Sequence, residues 1–197
     1  MAVVNLCAKL GNGLDVSCEA PVRKFFQQAV VINKTDIEEY TIQSPDSETG
    51  TCAYSVTFTL KAGTTGYRIS GPQAGSSFFG SFDKSRSDLG HTQYIHNASI
   101  LVAGASEEAK CILDSLDKGS FVVAYQYTDG TVEIYGMETG LTSQDYTYDV
   151  QGGGGGTAIV LSSLEDAPER YLPLVYVSNV PGSEGADFDS AFENTAT

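Results

Sequence analysis

The sequence contains few of the residues from which catalytic and metal-binding sites are usually built. Its 197 residues include no Trp, two His and four Cys. The histidines, His91 and His96, are separated by an odd number of positions on a predicted strand, so they are expected to point to opposite faces of a sheet. They are therefore not expected to share a metal ion or to act as a base with a nucleophile.

The cysteines give no sign of a metal site or a disulfide framework. None forms a CxxC pair, and the spacing from Cys7 to Cys18 matches no zinc motif. So few cysteines in a chain of this length do not suggest a disulfide-stabilised fold. We expect Cys7, Cys18, Cys52 and Cys111 to be small buried thiols.

Long apolar runs are also missing. No stretch approaches the roughly 18–20 apolar residues that cross a bilayer. The short apolar stretch that begins at Ala2 follows no positively charged segment, so no signal peptide is expected. These features predict synthesis in the cytoplasm and no contact with a membrane.

Basic residues are scarce, and they are unevenly distributed. Residues 1–110 hold 11 acids and 9 bases, whereas residues 111–197 hold 14 acids and 2 bases, in a chain of formal charge −14. A surface this negative repels the phosphates of nucleic acids, and Arg23-Lys24 is the only basic cluster. Sequence-specific binding of DNA or RNA is therefore disfavoured, although solubility alone also explains a negative charge.

No catalytic motif emerges from the remaining residues. The acidic pairs Glu38-Glu39 and Glu165-Asp166 are typical of solvated surface. Five glycines at 152–156 lack the Lys-Ser/Thr and the helix of a phosphate-binding loop, and they indicate a flexible connection. No Gly-x-Ser-x-Gly elbow occurs. We predict that the protein is not an enzyme, with no catalytic, cofactor-binding or metal-ligating residues and no cofactor.

Strand signals dominate what the sequence does contain. In Tyr54–Leu60 large apolar residues alternate with Ser and Thr, which indicates a half-buried strand. Phe121–Tyr127 and Thr131–Met137 flank Asp129-Gly130, a strong hairpin signal. The other predicted strands are a segment ending at Ile32, Ile37–Ile42, His91–Val102, Asp145–Val150, Thr157–Ser162 and Tyr171–Val177.

One helix is predicted, over residues 106–118. Ser106 is a suitable N-cap, Glu107 and Glu108 follow at the positive end, and Gly119 comes after the end. The apolar residues of the helix lie at positions i, i+3, i+4 and i+7, which predicts one buried stripe. That stripe consists of Ala109, Ile112, Leu113 and Leu116.

Three segments show little periodicity. Residues 1–20 are expected to be an arm or an opening strand. Residues 61–90, rich in Gly and Ser, predict a long loop whose Phe78, Phe79 and Phe82 order against this domain or a neighbour. Residues 179–197 are acidic and contain no base, so they predict a tail that is disordered in isolation, with Phe188 and Phe192 as anchors on a partner.

Together these signals predict a mainly β protein, a sandwich or barrel of about 8–10 strands with one flanking helix at 106–118, a long loop and terminal arms. A single β-rich domain is expected over residues 1–178. An acidic C-terminal tail is expected over residues 179–197.

The C-terminal half resembles small virion tail proteins of phages and prophages of Bacteroidetes. In those proteins a hairpin that ends in Tyr-Gly-x-Glu-x-Gly-Leu precedes a Gly-rich turn and a final β run containing Glu and Pro. The matching segments here are Phe121–Tyr135, Gly136-Met-Glu-Thr-Gly140-Leu141, the glycine run, Ala158–Ser163, Glu169 and Leu172-Pro173-Leu174-Val175. Leu6-Cys7, Gly13-Leu14 and Val31 to Ile37 fit the same pattern loosely.

The resemblance implies a subunit of a tail tube or tail ring, a group that includes the ring proteins of crAss-like phages. It implies a virion protein made in the host cytoplasm, a homo-oligomeric ring (a hexamer or dodecamer), and contacts with neighbouring tail, neck or portal proteins. DNA would pass through such a ring without specific binding. If the acidic half lines the lumen, the wall repels DNA and lets it slide.

Two alternatives remain open at the level of sequence. One is a different virion component, such as a neck or stopper protein or a capsid decoration protein. The other is a monomeric carbohydrate-binding β-sandwich, which needs an exposed aromatic platform. Tyr125, Tyr127 and Tyr135 on the predicted hairpin are the candidates for that platform, although alternating tyrosines usually pack inside a sheet.

Overall fold

The computed structural model describes residues 28–45, 53–70, 78–87, 90–127, 129–149 and 155–194. The predicted arm at 1–20, Cys7, Cys18, Cys52 and most of the glycine run lie outside these residues. The elements, with a 3₁₀ turn at Lys34–Asp36, are β1 (Gln28–Asn33), β2 (Ile37–Gln43), β3 (Ser55–Leu60), β4 (Tyr67–Ser70), β5 (Phe79–Arg86), β6 (Thr92–Ala103), α1 (Glu107–Lys118), β7 (Phe121–Gln126), β8 (Val132–Tyr135), β9 (Thr142–Ser143), β10 (Gly156–Ser162), β11 (Leu174–Tyr176) and α2 (Glu184–Asp189).

The strands form two sheets, as expected for a mainly β protein. The larger sheet has seven strands in the order β2-β3-β11-β8-β7-β1-β4, and the smaller has four in the order β5-β6-β10-β9. All pairings are antiparallel except that of β11 with β3. The predicted mainly β fold with a flanking helix is therefore confirmed.

The central strands of the larger sheet are buried on both faces. Ala29–Ile32 in β1 and Phe121–Tyr125 in β7 have no exposed side chain, which explains why these runs are continuously apolar instead of alternating. One face packs against β6, β10 and α1 around Ile100 and Ile159. The other packs around Val56, Phe58 and Ile134. The fold thus has two apolar layers, one on each side of this sheet.

The predicted hairpin and helix are both present. β7 pairs with β8, and Gly130 lies in their connection with φ +89°, a conformation that favours glycine. In α1 the Ser106 hydroxyl accepts a hydrogen bond from the Ala109 N–H at 3.1 Å, as an N-cap should. Ala109, Leu113 and Leu116 are buried.

Two details of the helix prediction are wrong. Ile112, assigned to the buried stripe, is 38 % exposed, because it lies at the border of the face that contacts the core. Cys111, expected to be a buried thiol, is exposed, because position 111 lies on the polar side of the helix. The buried face of this helix is thus narrower than the apolar pattern predicted.

The prediction of one long loop over residues 61–90 is also wrong. It contains β4, which pairs with β1, and β5, which pairs with β6 over eight residues. At Gly80 the β5 backbone approaches the buried Tyr135 ring so closely that a Cβ would overlap it. A core-facing position without a side chain interrupts the alternation that identifies strands, so the segment resembles a loop in sequence.

The C-terminal segment is ordered and not a disordered tail over residues 179–194. It contains α2, and the side chains of Phe188 and Phe192 are buried against Phe58 and Tyr176 of the larger sheet. Arg68 donates to the backbone oxygens of Phe188 and Asp189. The two phenylalanines that were expected to anchor on a partner therefore anchor on their own chain.

The strand expected at Asp145–Val150 is not formed within residues 145–149. A shorter strand, β9, precedes it and pairs with β10. The following segment lies beside α1 instead, where the Tyr146 hydroxyl donates to Asp117 at 3.0 Å. In the described residues no helix is long and apolar enough to span a membrane.

Candidate functional site

The residues considered for chemistry in the sequence do not come together. His96 is buried, whereas His91 is exposed just before β6. Glu38-Glu39 lies on β2, and Glu165-Asp166 is exposed after β10. Among the described residues, no group of three or more His, Cys, Asp or Glu side chains is placed to hold a metal ion.

A buried carboxylate holds the turn at 136–140, the turn that carries the Tyr-Gly-x-Glu-x-Gly-Leu motif. Glu169 is 2 % exposed. It accepts hydrogen bonds from the Glu138 N–H at 3.0 Å, the Thr139 N–H at 2.9 Å and the Thr139 hydroxyl at 2.8 Å. Its own backbone pairs with Tyr94 at the end of β6. Glu169 thus ties the hairpin end to the smaller sheet.

His96 supports the same turn from the other side. Its Nδ1 accepts from the Gly136 N–H at 3.2 Å, so Nε2 carries the proton that is donated to the Tyr171 oxygen at 3.0 Å. Burial lowers the pKa of His96, and the carboxylates of Glu169, Glu138 and Glu133 oppose that shift. The neutral imidazole satisfies both partners, whereas a protonated ring would direct an N–H at the Gly136 N–H.

Two cations complete this polar cluster. Lys34 donates to the Met137 oxygen. Burial lowers the pKa of Lys34, and the nearby carboxylates of Glu169 and Glu138 oppose that shift. Arg170 forms an ion pair with Glu138, with Nε donating at 2.7 Å. Because each charged group has a partner within the chain, the arrangement stabilises the turn and offers no free nucleophile or base.

The larger surface grooves of the described residues lie away from this cluster. Three surface grooves in the described part of the chain measure about 200, 210 and 130 Å³, below the roughly 300–1,000 Å³ of typical ligand pockets. None of the three is lined by His96 or Glu169. Sequence reasoning missed the cluster because its members come from four distant segments.

The three tyrosines considered as a carbohydrate platform are buried. Tyr125, Tyr127 and Tyr135 are 0 %, 9 % and 3 % exposed. The Tyr125 hydroxyl donates to the Ser99 oxygen at 2.7 Å, and the hydroxyls of Tyr127 and Tyr135 donate to Glu133. Burial raises the pKa of each phenol. These residues are core, so they cannot form an exposed sugar-binding platform.

The two sheets have four edge strands among the described residues. β2 and β4 end the larger sheet, and β5 and β9 end the smaller. β9 has two residues and β4 has four, whereas β2 has seven and β5 has eight. Long edges of this kind present unpaired N–H and C=O groups that can pair with another chain.

The side chains on these two long edges are exposed and include aromatic rings. Tyr40 on β2 is 40 % exposed, and Phe79 and Phe82 on β5 are 43 % and 45 % exposed. β5 also carries the exposed bases Lys84 and Arg86, whereas β2 carries the exposed acids Glu38 and Glu39. The two edges are therefore opposite in charge.

Comparisons with known proteins provide no relative from which a role could be transferred: no family model, no curated protein and no solved structure matches the chain.

Proposed function

We propose that this protein is a structural subunit of a phage tail, assembling with copies of itself into a ring or tube through which DNA passes. The observation that carries the proposal is the pair of long, exposed strand edges, β2 and β5, on a two-sheet body. The resemblance of the hairpin motif to virion tail proteins agrees with it.

Edges of this kind favour assembly over a monomeric role. Monomeric proteins usually protect a long edge with charge, proline, a bulge or a covering element. Both edges carry charge, but β2 is acidic and β5 is mainly basic, so these charges oppose pairing between like edges and favour pairing of one edge with the other. β2 has a bulge at its start, between Ile37 and Glu39, but the rest of the strand pairs regularly with β3. Along β5 the pairing with β6 is continuous. Closed rings provide each such edge with a partner.

The charge distribution supports a conduit for DNA. Most acids after residue 110 are exposed, namely Asp114, Asp117, Asp129, Asp145, Asp149, Glu165, Asp166, Asp189 and Glu193. The two bases of this half, Lys118 and Arg170, are ion-paired with Asp114 and Glu138. A surface with this composition repels phosphates, so a lumen lined by it would let DNA slide.

Negative-stain electron microscopy of the purified chain, over a hundredfold range of concentration, tests the proposal. Rings or stacked tubes with a central hole are expected at the higher concentrations. A flat lattice would indicate a shell decoration protein instead. Uniform monomers at every concentration would contradict a self-assembling subunit.

The proposal that DNA passes through the ring without binding is tested separately, by fluorescence anisotropy of labelled duplex DNA at low salt. No binding is expected, because the acidic surface repels phosphate. Low salt makes the test stringent, since it strengthens any attraction to phosphate. Binding that weakens as salt is raised would refute a repulsive lumen.

A further inference from the structure

We propose that β5 of one copy pairs antiparallel with β2 of the next, with Tyr40 opposite Lys84 and Ile42 opposite Phe82. The inference rests on the proposed self-assembly and specifies which edges meet and in what register. It makes the contact head-to-tail, and such a contact generates a ring when its rotation closes.

The order of side chains along the two strands selects the antiparallel direction. β2 begins with the acids Glu38 and Glu39 and continues with Tyr40 and Ile42, whereas β5 begins with Phe79 and Phe82 and ends with Lys84 and Arg86. Antiparallel pairing brings acids to bases and apolar residues to apolar residues. Parallel pairing would place the acids beside phenylalanines.

The backbone of β5 restricts the register. The Ser87 N–H donates to the His91 oxygen at 2.9 Å, so the Ser87 backbone points at β6, in line with the β5–β6 register. On the other side of β6 the Ser163 N–H donates to the His96 oxygen at 3.0 Å, which leaves the odd-numbered β6 residues facing β5. Odd-numbered residues of β5 therefore direct their N–H and C=O groups at β6. The even-numbered residues, including Phe82, Lys84 and Arg86, direct theirs away from the sheet.

The backbone of β2 follows the same logic. The N–H groups of Val175 and Val177 donate to the oxygens of Tyr54 and Val56 at 3.1 and 2.9 Å, so Tyr54, just before β3, and Val56 within it face β11. The alternate β3 residues face β2, and their partners there are Glu39, Thr41 and Gln43. That leaves Tyr40 and Ile42 with outward backbone groups.

A new antiparallel ladder needs outward residues opposite outward residues. Tyr40 opposite Lys84 and Ile42 opposite Phe82 meets that requirement. The same register places an apolar side chain beside a half-exposed phenylalanine, and Arg86 at the Glu38 end of β2. Asp83, the acid of β5, accepts from the Asn97 amide at 3.0 Å within its own chain.

Charge reversal tests which edges meet. The variants Lys84→Glu/Arg86→Glu and Glu38→Lys/Glu39→Lys each place like charges across the contact, and each should raise the concentration needed for assembly by at least about tenfold. Mixing the two variants should restore assembly, since each then meets an oppositely charged edge. One chain carrying all four substitutions should also assemble, and its net charge equals that of the wild type.

The matched control is Lys110→Glu/Lys118→Glu, which has the same net charge as the first variant and changes two exposed residues of α1, which belongs to neither edge. It should assemble as the wild type does. Circular dichroism verifies that every variant is folded. If wild type and both edge variants assemble equally well, the pairing is overturned while self-assembly stands. If the wild type never assembles, both are overturned.

Disulfide trapping tests the register. Thr41 and Asp83 are opposite each other in the proposed pairing as a non-hydrogen-bonded pair, for which Cα atoms are about 4.5 Å apart, within the range of a disulfide. With all four native cysteines replaced by Ser, the variant Thr41→Cys/Asp83→Cys should give a ladder of cross-linked chains under oxidation. Thr41→Cys alone should not. Equal ladders from Thr41→Cys/Ser81→Cys would refute the register.

Discussion

Replacement of Glu169 by Ala should destabilise the fold, because this carboxylate accepts three hydrogen bonds within the turn at 136–140. A hydrogen bond to a charged group contributes about 1.5–3 kcal/mol. Thr139 is exposed, so in the variant water can accept hydrogen bonds from the Thr139 N–H and hydroxyl and offset part of the loss. Lys34 would also lose an attractive neighbour. We therefore expect the free energy of unfolding to fall by about 2–4 kcal/mol, a decrease in Tm of about 5–15 °C for a chain of this size.

Glu169→Gln separates the charge from the geometry. Its amide oxygen can keep both Thr139 bonds, but its NH₂ group would meet the Glu138 N–H, so a smaller loss of about 1–2 kcal/mol is expected. Urea unfolding followed by circular dichroism measures all variants below the assembly concentration, because oligomerisation raises apparent stability. The exposed control Glu165→Ala should change stability by less than about 0.5 kcal/mol. If Glu169→Ala behaves like that control, the assigned role of the buried carboxylate is wrong.

Two other predictions concern the buried histidine and the C-terminal anchor. Because burial lowers the folded pKa of His96, the unfolded chain binds its proton first, so stability should fall as pH drops below about 6.5, by at most about 1.4 kcal/mol per pH unit. His96→Gln, which can still bond Gly136, should flatten that slope in urea titrations between pH 5 and 7, and a slope that disappears with His91→Gln instead would contradict the assignment. Phe188→Ala should cost about 3–5 kcal/mol by leaving a cavity, whereas Val180→Ala, at a 62 % exposed position, should be close to neutral in the same assay.

The sequence predicted the elements whose signals are local. Tyr54–Leu60 alternates, and β3 forms there. Ser106 and the apolar stripe predicted α1 because a cap and a 3.6-residue period both lie within one short segment. The β7–β8 hairpin followed from Asp129-Gly130 for the same reason.

What the sequence could not predict depends on partners that are distant along the chain. β5 is a strand because β6 pairs with it and because Gly80 admits the Tyr135 ring, and neither condition is visible in the segment itself. The acidic C-terminal segment is ordered because Phe188 and Phe192 find an apolar surface on the larger sheet. The prediction of disorder came from the acidic composition of the whole segment, and an overall composition does not show that two of its residues can pack against a distant sheet.

The candidate assembly edges were missed for a related reason. Glu38-Glu39 was interpreted as solvated surface, and Lys84 with Arg86 as part of a loop. Their significance arises only when the sheet order places both strands at the ends of sheets. Edge position is a property of topology, and no local pattern encodes it.

The short strand β11 has a consequence for the order in which the protein is made. It lies between β3 and β8 in the larger sheet, and Val175 pairs with Ser55, 120 residues earlier. Until β11 has been made, the β2–β3 hairpin is joined to this sheet only through the turn from β1, and no described strand pairs with the other side of β3. Pairing across so long a separation is slow. Among the described strands, β3 is therefore left as a second unfilled edge until β11 has been made, and a nascent chain is most open to pairing with its neighbours during that interval.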